Sequence, residues 1–164
     1  MKMWCYSESD MSYLTERINH ILADKNIEFE EFEHEAVYTS EQAARVRGLS
    51  SAKQGVKAMI FKTETDSFIL VLNPGDKRVA TKKIAALEQV KHLSMAKPEE
   101  VQRVAGVTIG SVPPFGLKTQ LKTYLNEELL ENEYLYFNPG SHTKTIKLKA
   151  VDLLKVLENP IRFT

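Results

Sequence analysis

At 164 residues, with 22 basic and 22 acidic side chains and 43% apolar residues, the chain has the size and composition of one ordinary globular domain. A formal net charge of zero argues against an indiscriminate polycationic nucleic-acid binder, so an RNA partner would require basic residues gathered locally. The single cysteine, Cys5, rules out an intrachain disulfide, and no apolar run approaches the roughly 20 residues that span a bilayer. The opening residues show no secretory pattern, so the expected compartment is the cytoplasm.

In chain order, Met11, Leu14, Ile18, Ile21 and Leu22 recur at helical spacing and predict a first helix over residues 11–23, capped by Asp10 or Ser12. Residues 27–32 read as a short strand. Thr39 or Ser40 opens a second helix through Ala43, Ala44 and Val46, with Gly48 as its stop. Residues 56–62 and 68–73 are nearly continuous apolar runs, which predicts two strands buried on both faces. Asn73, Pro74, Gly75 and Asp76 are expected to close that pair.

Thr81 is read as the cap of a helix carrying Ile84, Ala85 and Leu87. A short strand is expected over residues 92–96. Pro98, Glu99 and Glu100 start a further helix, with Val101 and Val104 on its buried side and Gly106 at its end. After a loop over 106–116, the alternation Leu117, Thr119, Leu121, Thr123, Leu125 predicts a strand. Strands over 134–138 and 145–148 flank a turn at Pro139 and Gly140, and a last helix covers 151–157. The interleaved elements with short connections predict an α/β (α+β) single compact domain, with a mixed, largely antiparallel sheet.

Several chemistries find no support in the pattern. Cys5 and the scattered His20, His34, His92 and His142 lack metal-ligand spacing. There is no phosphate loop, dinucleotide fingerprint or G-x-S-x-G elbow. No metal and no cofactor is expected.

Three stretches carry chemical potential. The loop Gly106-Val107-Thr108-Ile109-Gly110-Ser111-Val112-Pro113-Pro114-Phe115-Gly116 holds three glycines and two adjacent prolines. Proline stiffens the chain, and glycine lets backbone approach a ligand closely, so the loop is built to aim N–H and C=O groups. A plain helix-to-strand connection is the alternative. Lys57 interrupts an otherwise apolar strand and shares a face with Met59 and Phe61. It either lines a cleft, where its cation would stabilise negative charge, or snorkels to water. The turn Asn138-Pro139-Gly140-Ser141-His142-Thr143-Lys144 offers hydroxyl, imidazole and ammonium groups to an anion or ribose, or is an ordinary hairpin turn. Basic residues at Arg45, Arg47 and Lys53, at Lys77, Arg78, Lys82 and Lys83, and at His142, Lys144, Lys147 and Lys149 would form a patch for a tRNA acceptor end if they met in space.

Taken in order, these stretches resemble the YbaK-like aminoacyl-tRNA editing family, which includes the editing insertion of bacterial prolyl-tRNA synthetases and free-standing deacylases. The resemblance covers residues 34–157 and rests on several stretches. They are the 39–44 helix, the Lys57 strand, the 68–76 strand and turn, Lys82-Lys83-Ile84, residues 96–100, the 106–116 loop, and Asn138-Pro139-Gly140 before Ile146 and Leu148. Its most specific part is the G-x-x-x-P step from Gly110 to Pro114, followed by Phe115 and Gly116. It implies a barrel-like mixed sheet flanked by helices. It also implies hydrolysis of the ester that joins a wrong amino acid, alanine or cysteine in the first place, to tRNA, including proline tRNA.

By the same resemblance, Lys57 and Gly110 are the catalytic positions. Ser111, Val112, Pro113, Pro114, Phe115, Gly116, Gly140, Ser141 and His142 are the substrate-binding ones. The implied partners are the tRNA acceptor end and a synthetase, with no membrane. Residues 1–33 form an N-terminal extension that the resemblance does not cover, and Pro113 stands at a variable position of the motif. The rival reading is a non-catalytic module of the same fold that binds tRNA or a synthetase.

Overall fold

The computed structural model describes residues 8–164, with side chains from Tyr13 onward. Cys5 and Met1 to Ser7 lie outside the described residues. Helix α1 spans Glu8–Asp24 and is followed by β1, Phe29–Glu33, and α2, Ser40–Val46. Strands β2, Val56–Thr63, and β3, Phe68–Pro74, form a hairpin. Then come α3, Thr81–Glu88; β4, Leu93–Met95; and α4, Pro98–Ala105. The chain ends with β5, Lys122–Asn126; β6, Tyr134–Phe137; β7, Lys144–Lys149; α5, Ala150–Val156; and β8, Ile161–Phe163.

The strands form two sheets, in the orders β1-β7-β6 and β4-β2-β3-β5-β8. The first sheet is antiparallel. In the second, β3 pairs with β2 antiparallel and with β5 parallel, and β5 pairs with β8 parallel. The mixed sheet is therefore as expected. Neither sheet closes, so the barrel-like description holds only loosely. An isolated bridge between Gly55 and Tyr136 joins the two.

The period of two along β2, β3 and β5 divides the apolar side chains between two buried faces. Ile60, Leu70, Leu72 and Leu125 enter the main core, while Phe61, Ile69, Val71 and Tyr124 enter a smaller cluster with Ile84 of α3. That double burial is what the continuous apolar runs required.

Helix α1 is part of the main core. Leu14, Ile18 and Leu22, at spacings of four, are buried there beside Val101, Ala105 and Leu153. Each such side chain is worth roughly 1.5–3 kcal/mol of burial. The Thr15 hydroxyl also donates to the Pro139 carbonyl at 2.8 Å. The helix runs through Asp10 and Ser12, so neither caps it; the apolar stripe marks the buried turns, not the helix start.

Other local expectations are corrected. The β2–β3 hairpin closes at residues 64–67, where the Thr63 hydroxyl accepts from the Thr65 and Ser67 amides. Asn73 and Pro74 instead belong to β3. Thr81 is the first residue of α3, whose N-cap, Ala80, makes no side-chain capping bond. Residues 117–121 are not a strand, because the Lys118 and Thr119 amides donate to the Ala105 and Val104 carbonyls at the end of α4. Strand β8, three residues long, is too short to give a periodic signal in the sequence.

Candidate active site

Three chain segments meet beside the start of β2. Thr39 caps α2, its hydroxyl accepting from the Gln42 amide at 3.1 Å. This fixes the segment Val37–Thr39 against the turn 138–143, and the Val37 amide donates to the His142 carbonyl at 3.0 Å. The 106–116 loop closes the third side. Between them lies a cavity of about 190 Å³, lined among others by Val37, Tyr38, Arg47, Lys57, Gly110 and Asn138.

Lys57 is half-buried in this cavity. Its ammonium donates to the Lys77 carbonyl at 2.6 Å. Burial holds its pKa below the ordinary lysine value, opposed by the carboxylates of Glu41 and Asp76. It makes no ion pair among the described residues and lines the cavity.

Arg47, at the C-cap of α2, is a second cation on the same wall. Its Nε donates to Thr145 Oγ1 at 3.0 Å and a terminal nitrogen donates to Asn138 Oδ1 at 3.1 Å. Burial lowers its pKa to about 10, so it stays charged at neutral pH. In the sequence Arg47 belongs to a basic group with Arg45 and Lys53; its position one helical turn beyond Ala43 and Ala44, the small apolar residues of α2, is the signal that it turns inward.

The loop residues divide between two sides. Gly110, with φ of +88°, and Val112 line the cavity with Lys57. Ser111 is fully buried and turned into the loop. Its hydroxyl donates to the Thr108 carbonyl at 2.9 Å, and its amide donates to the same carbonyl at 3.2 Å. Pro113 is buried and is not among the residues lining either cavity described here. Pro114, Phe115 and Gly116 line a separate cavity of about 320 Å³ against α1, with Arg17 and Ile21. Phe115 also packs edge-on against Phe137, ring centroids 5.5 Å apart.

In the turn, Gly140 has φ of +85°, and a Cβ there would stand 3.0 Å from Leu14 Cδ2, so this position packs α1 against the turn. Ser141 is buried and its hydroxyl accepts from the Thr143 amide at 3.2 Å. His142 reaches the loop: Nε2 lies 3.1 Å from Thr108 Oγ1, Nδ1 lies 2.9 Å from the Val37 carbonyl, and Tyr38 covers its ring at 4.7 Å. Since a carbonyl only accepts, Nδ1 donates to Val37, and in the neutral ring Nε2 then accepts from the Thr108 hydroxyl.

Of the basic groups named from sequence, three members are engaged in ion pairs. Lys77 pairs with Glu128 at 2.7 Å, and Lys144 and Lys147 pair with glutamates of β1. Among the described residues, no three His, Cys, Asp or Glu side chains gather as a metal site.

The fold and site define a small α/β domain with a cationic, backbone-rich pocket at the meeting of a strand, a helix end and a glycine-proline loop. The model of the aminoacyl-tRNA editing domain matches residues 34–156. The chain belongs to that family. It is 27% identical over 147 residues to the multifunctional Ser/Thr-tRNA deacylase ProXp-y of Escherichia coli K12, covering 87% of each chain. It is 32% identical over 102 residues to a proline–tRNA ligase of Caldicellulosiruptor saccharolyticus, covering 62% of this chain and 17% of the ligase. A solved structure of a candidate trans-editing enzyme for prolyl tRNA synthetase superposes with a TM-score of 0.80 at 28% identity, covering 92% of this chain and 94% of that one. No helix among the described residues is long and apolar enough to cross a membrane.

Proposed function

We propose that this chain is a trans-editing aminoacyl-tRNA deacylase that hydrolyses the ester of mischarged tRNA, acting at the Lys57–Gly110 cavity. The observation that carries this reading is a half-buried lysine, without an ion pair among the described residues, lining one cavity together with a positive-φ glycine of the G-x-x-x-P loop, in a member of the editing family. In the reaction, water attacks the ester carbonyl carbon and the bond to the ribose oxygen breaks. The ribose oxygen takes a proton, leaving free amino acid and uncharged tRNA. Lys57 orients the terminal adenosine or its phosphate and offsets negative charge. The Gly110 backbone polarises the carbonyl; the Ser111 amide, already bonded within the loop, holds that loop in shape. In this reading the neighbouring ribose hydroxyl assists the water.

The cavity, about 190 Å³, lies below the roughly 300 Å³ at which drug-sized pockets begin, which suits a small aminoacyl group. Alanyl- and cysteinyl-tRNA, including mischarged proline tRNA, are the proposed substrates; a cysteinyl substrate could also cyclise through its own thiol. The Escherichia coli relative is named for Ser and Thr, which makes those esters the natural comparison. Because a pocket discriminates weakly between side chains differing by one small group, selectivity would rest on pocket size and water placement.

The test is deacylation of labelled Ala-, Cys-, Ser- and Thr-tRNA by wild type beside Lys57→Ala, with folding checked by circular dichroism. Fast release lost in the variant supports the reading and names the amino acid. No release from any substrate, with tRNA still bound, would turn the assignment to a non-catalytic binding module.

A further inference from the structure

Asn73 is fully buried, at 0% exposure, near the end of β3, the central strand of the five-stranded sheet, after a run of four buried apolar residues. Its place in the register is opposite Lys57 on the neighbouring strand, so the two side chains share a face. Its Nδ2 donates to the Lys77 carbonyl at 3.0 Å, the same oxygen that receives the Lys57 ammonium at 2.6 Å. Its Oδ1 accepts from Asn126 Nδ2 at 2.9 Å, and Asn126 Oδ1 in turn accepts from the Glu128 amide at 3.0 Å. The Lys77 side chain is tied to Glu128 as well.

A buried amide costs free energy unless both its ends are satisfied, and an apolar residue would fill the sheet position without that demand. Both ends of Asn73 are satisfied, and each bond fixes the next. The Asn126 donor sets the Asn73 amide orientation, and that orientation presents the donor that holds the Lys77 carbonyl. Lys57 then hangs from a carbonyl that cannot swing away.

We propose that Asn73 is a positioning residue for the cavity: through the Lys77 carbonyl, and braced by Asn126, it fixes where the Lys57 ammonium stands. The inference rests on the catalytic reading of Lys57 for its kinetic consequence, but its geometric content is independent of that reading. Lys57 is also faced by Glu41 of α2 and Asp76 of the following loop, and those carboxylates remain in every variant below.

Two variants separate the donor from the fold. Asn73→Ser withdraws the reach to Lys77. Asn73→Asp keeps the shape and the acceptor for Asn126 but replaces the donor with an oxygen. The readout is the pH dependence of Lys57 acylation by acetic anhydride, followed by mass spectrometry on the full chain. Loss of the fixed acceptor in Asn73→Ser destabilises the ammonium form, so labelling sets in at lower pH than in wild type. The new carboxylate in Asn73→Asp shifts labelling to higher pH. Unchanged Lys57 titration in folded Asn73→Ser overturns the proposal; should the serine variant fail to fold, a kcat/KM of Asn73→Asp, which lacks the donor to Lys77, equal to that of wild type overturns it.

In deacylation, Asn73→Ser should lower kcat/KM about tenfold, as a small misplacement of a catalytic group does, and should cause no further loss in a Lys57→Ala background. Independent, multiplying losses would also overturn the proposal. Absence of wild-type deacylation would instead count against the proposed function, and the labelling experiment would still decide the role of Asn73.

Discussion

Thr108 and His142, 34 positions apart, are joined by a hydrogen bond of 3.1 Å that ties the glycine-proline loop to the Asn138–Lys144 turn. The same imidazole holds the Val37 carbonyl, so one ring fastens three segments around the Lys57 cavity. His142→Ala should release the loop and lower kcat/KM for deacylation on the order of 10–100-fold, with a smaller effect on thermal stability. His142→Asn, which keeps a donor and an acceptor, should recover part of the activity. Equal activity of His142→Ala and wild type would show that the loop holds its shape without the ring.

Lys57 sets a pH limit on the site. Burial lowers its pKa below 10.5, so the protonated form that offsets negative charge is lost at a lower pH than in an exposed lysine. The rate of deacylation should fall as pH rises through that depressed value, after correction for spontaneous ester hydrolysis. The sign for stability is opposite. Between the folded and unfolded pKa values the unfolded chain binds more protons, so the Lys57 contribution to stability is present above the unfolded value and is lost as pH falls through the folded one. Lys57→Met should therefore remove most of the activity without lowering the melting temperature at neutral pH; a clear drop would give Lys57 a structural role.

Arg47 bridges Thr145 and Asn138 with separate nitrogens of one planar group. Lysine offers a point charge and cannot span both acceptors in that geometry. Arg47→Lys should cost about 1.5–3 kcal/mol, the scale of a hydrogen bond to a charged group, and denaturant unfolding would read it. Stability equal to wild type would mean that water replaces the bridge.

Helix α1 is tied to the site turn through Leu14 and Gly140. Gly140→Ala adds a methyl 3.0 Å from Leu14 Cδ2 at a φ of +85°. It should destabilise by about 1–3 kcal/mol, through overpacking with backbone strain added. Leu14→Ala leaves a core void and should cost about 2–5 kcal/mol. A double variant, Leu14→Ala with Gly140→Ala, should cost less than the sum of the two, because the void admits the methyl; additive losses would show that backbone strain, not contact, dominates at Gly140.

Much of this was legible in the linear chain. The apolar runs at 56–62 and 68–73, the Thr39 cap, Pro98 at a helix start and Gly106 at its end are local signals, written by backbone sterics and by burial with a period of two or 3.6. Lys57 stood out because a charge inside an apolar strand demands an explanation. The 117–121 stretch misled because its alternation matched a strand, while its amides found partners at the end of α4, a choice made by tertiary contact.

What the sequence by itself determined was the set of elements, the mixed character of the sheet and the family, since each follows from local periodicity or from motifs in order. Only the tertiary structure decided the rest. It divided the loop into Gly110 and Val112 at the cavity and Pro114 to Gly116 against α1. It turned Arg47 inward, and it linked Asn126, Asn73 and the Lys77 carbonyl to Lys57. Apart from the local Asn73–Lys77 bond, the hydrogen bonds in those relationships join residues 20 to 98 positions apart, and the rest depends on which way a side chain faces in a packed core; no local propensity carries that information.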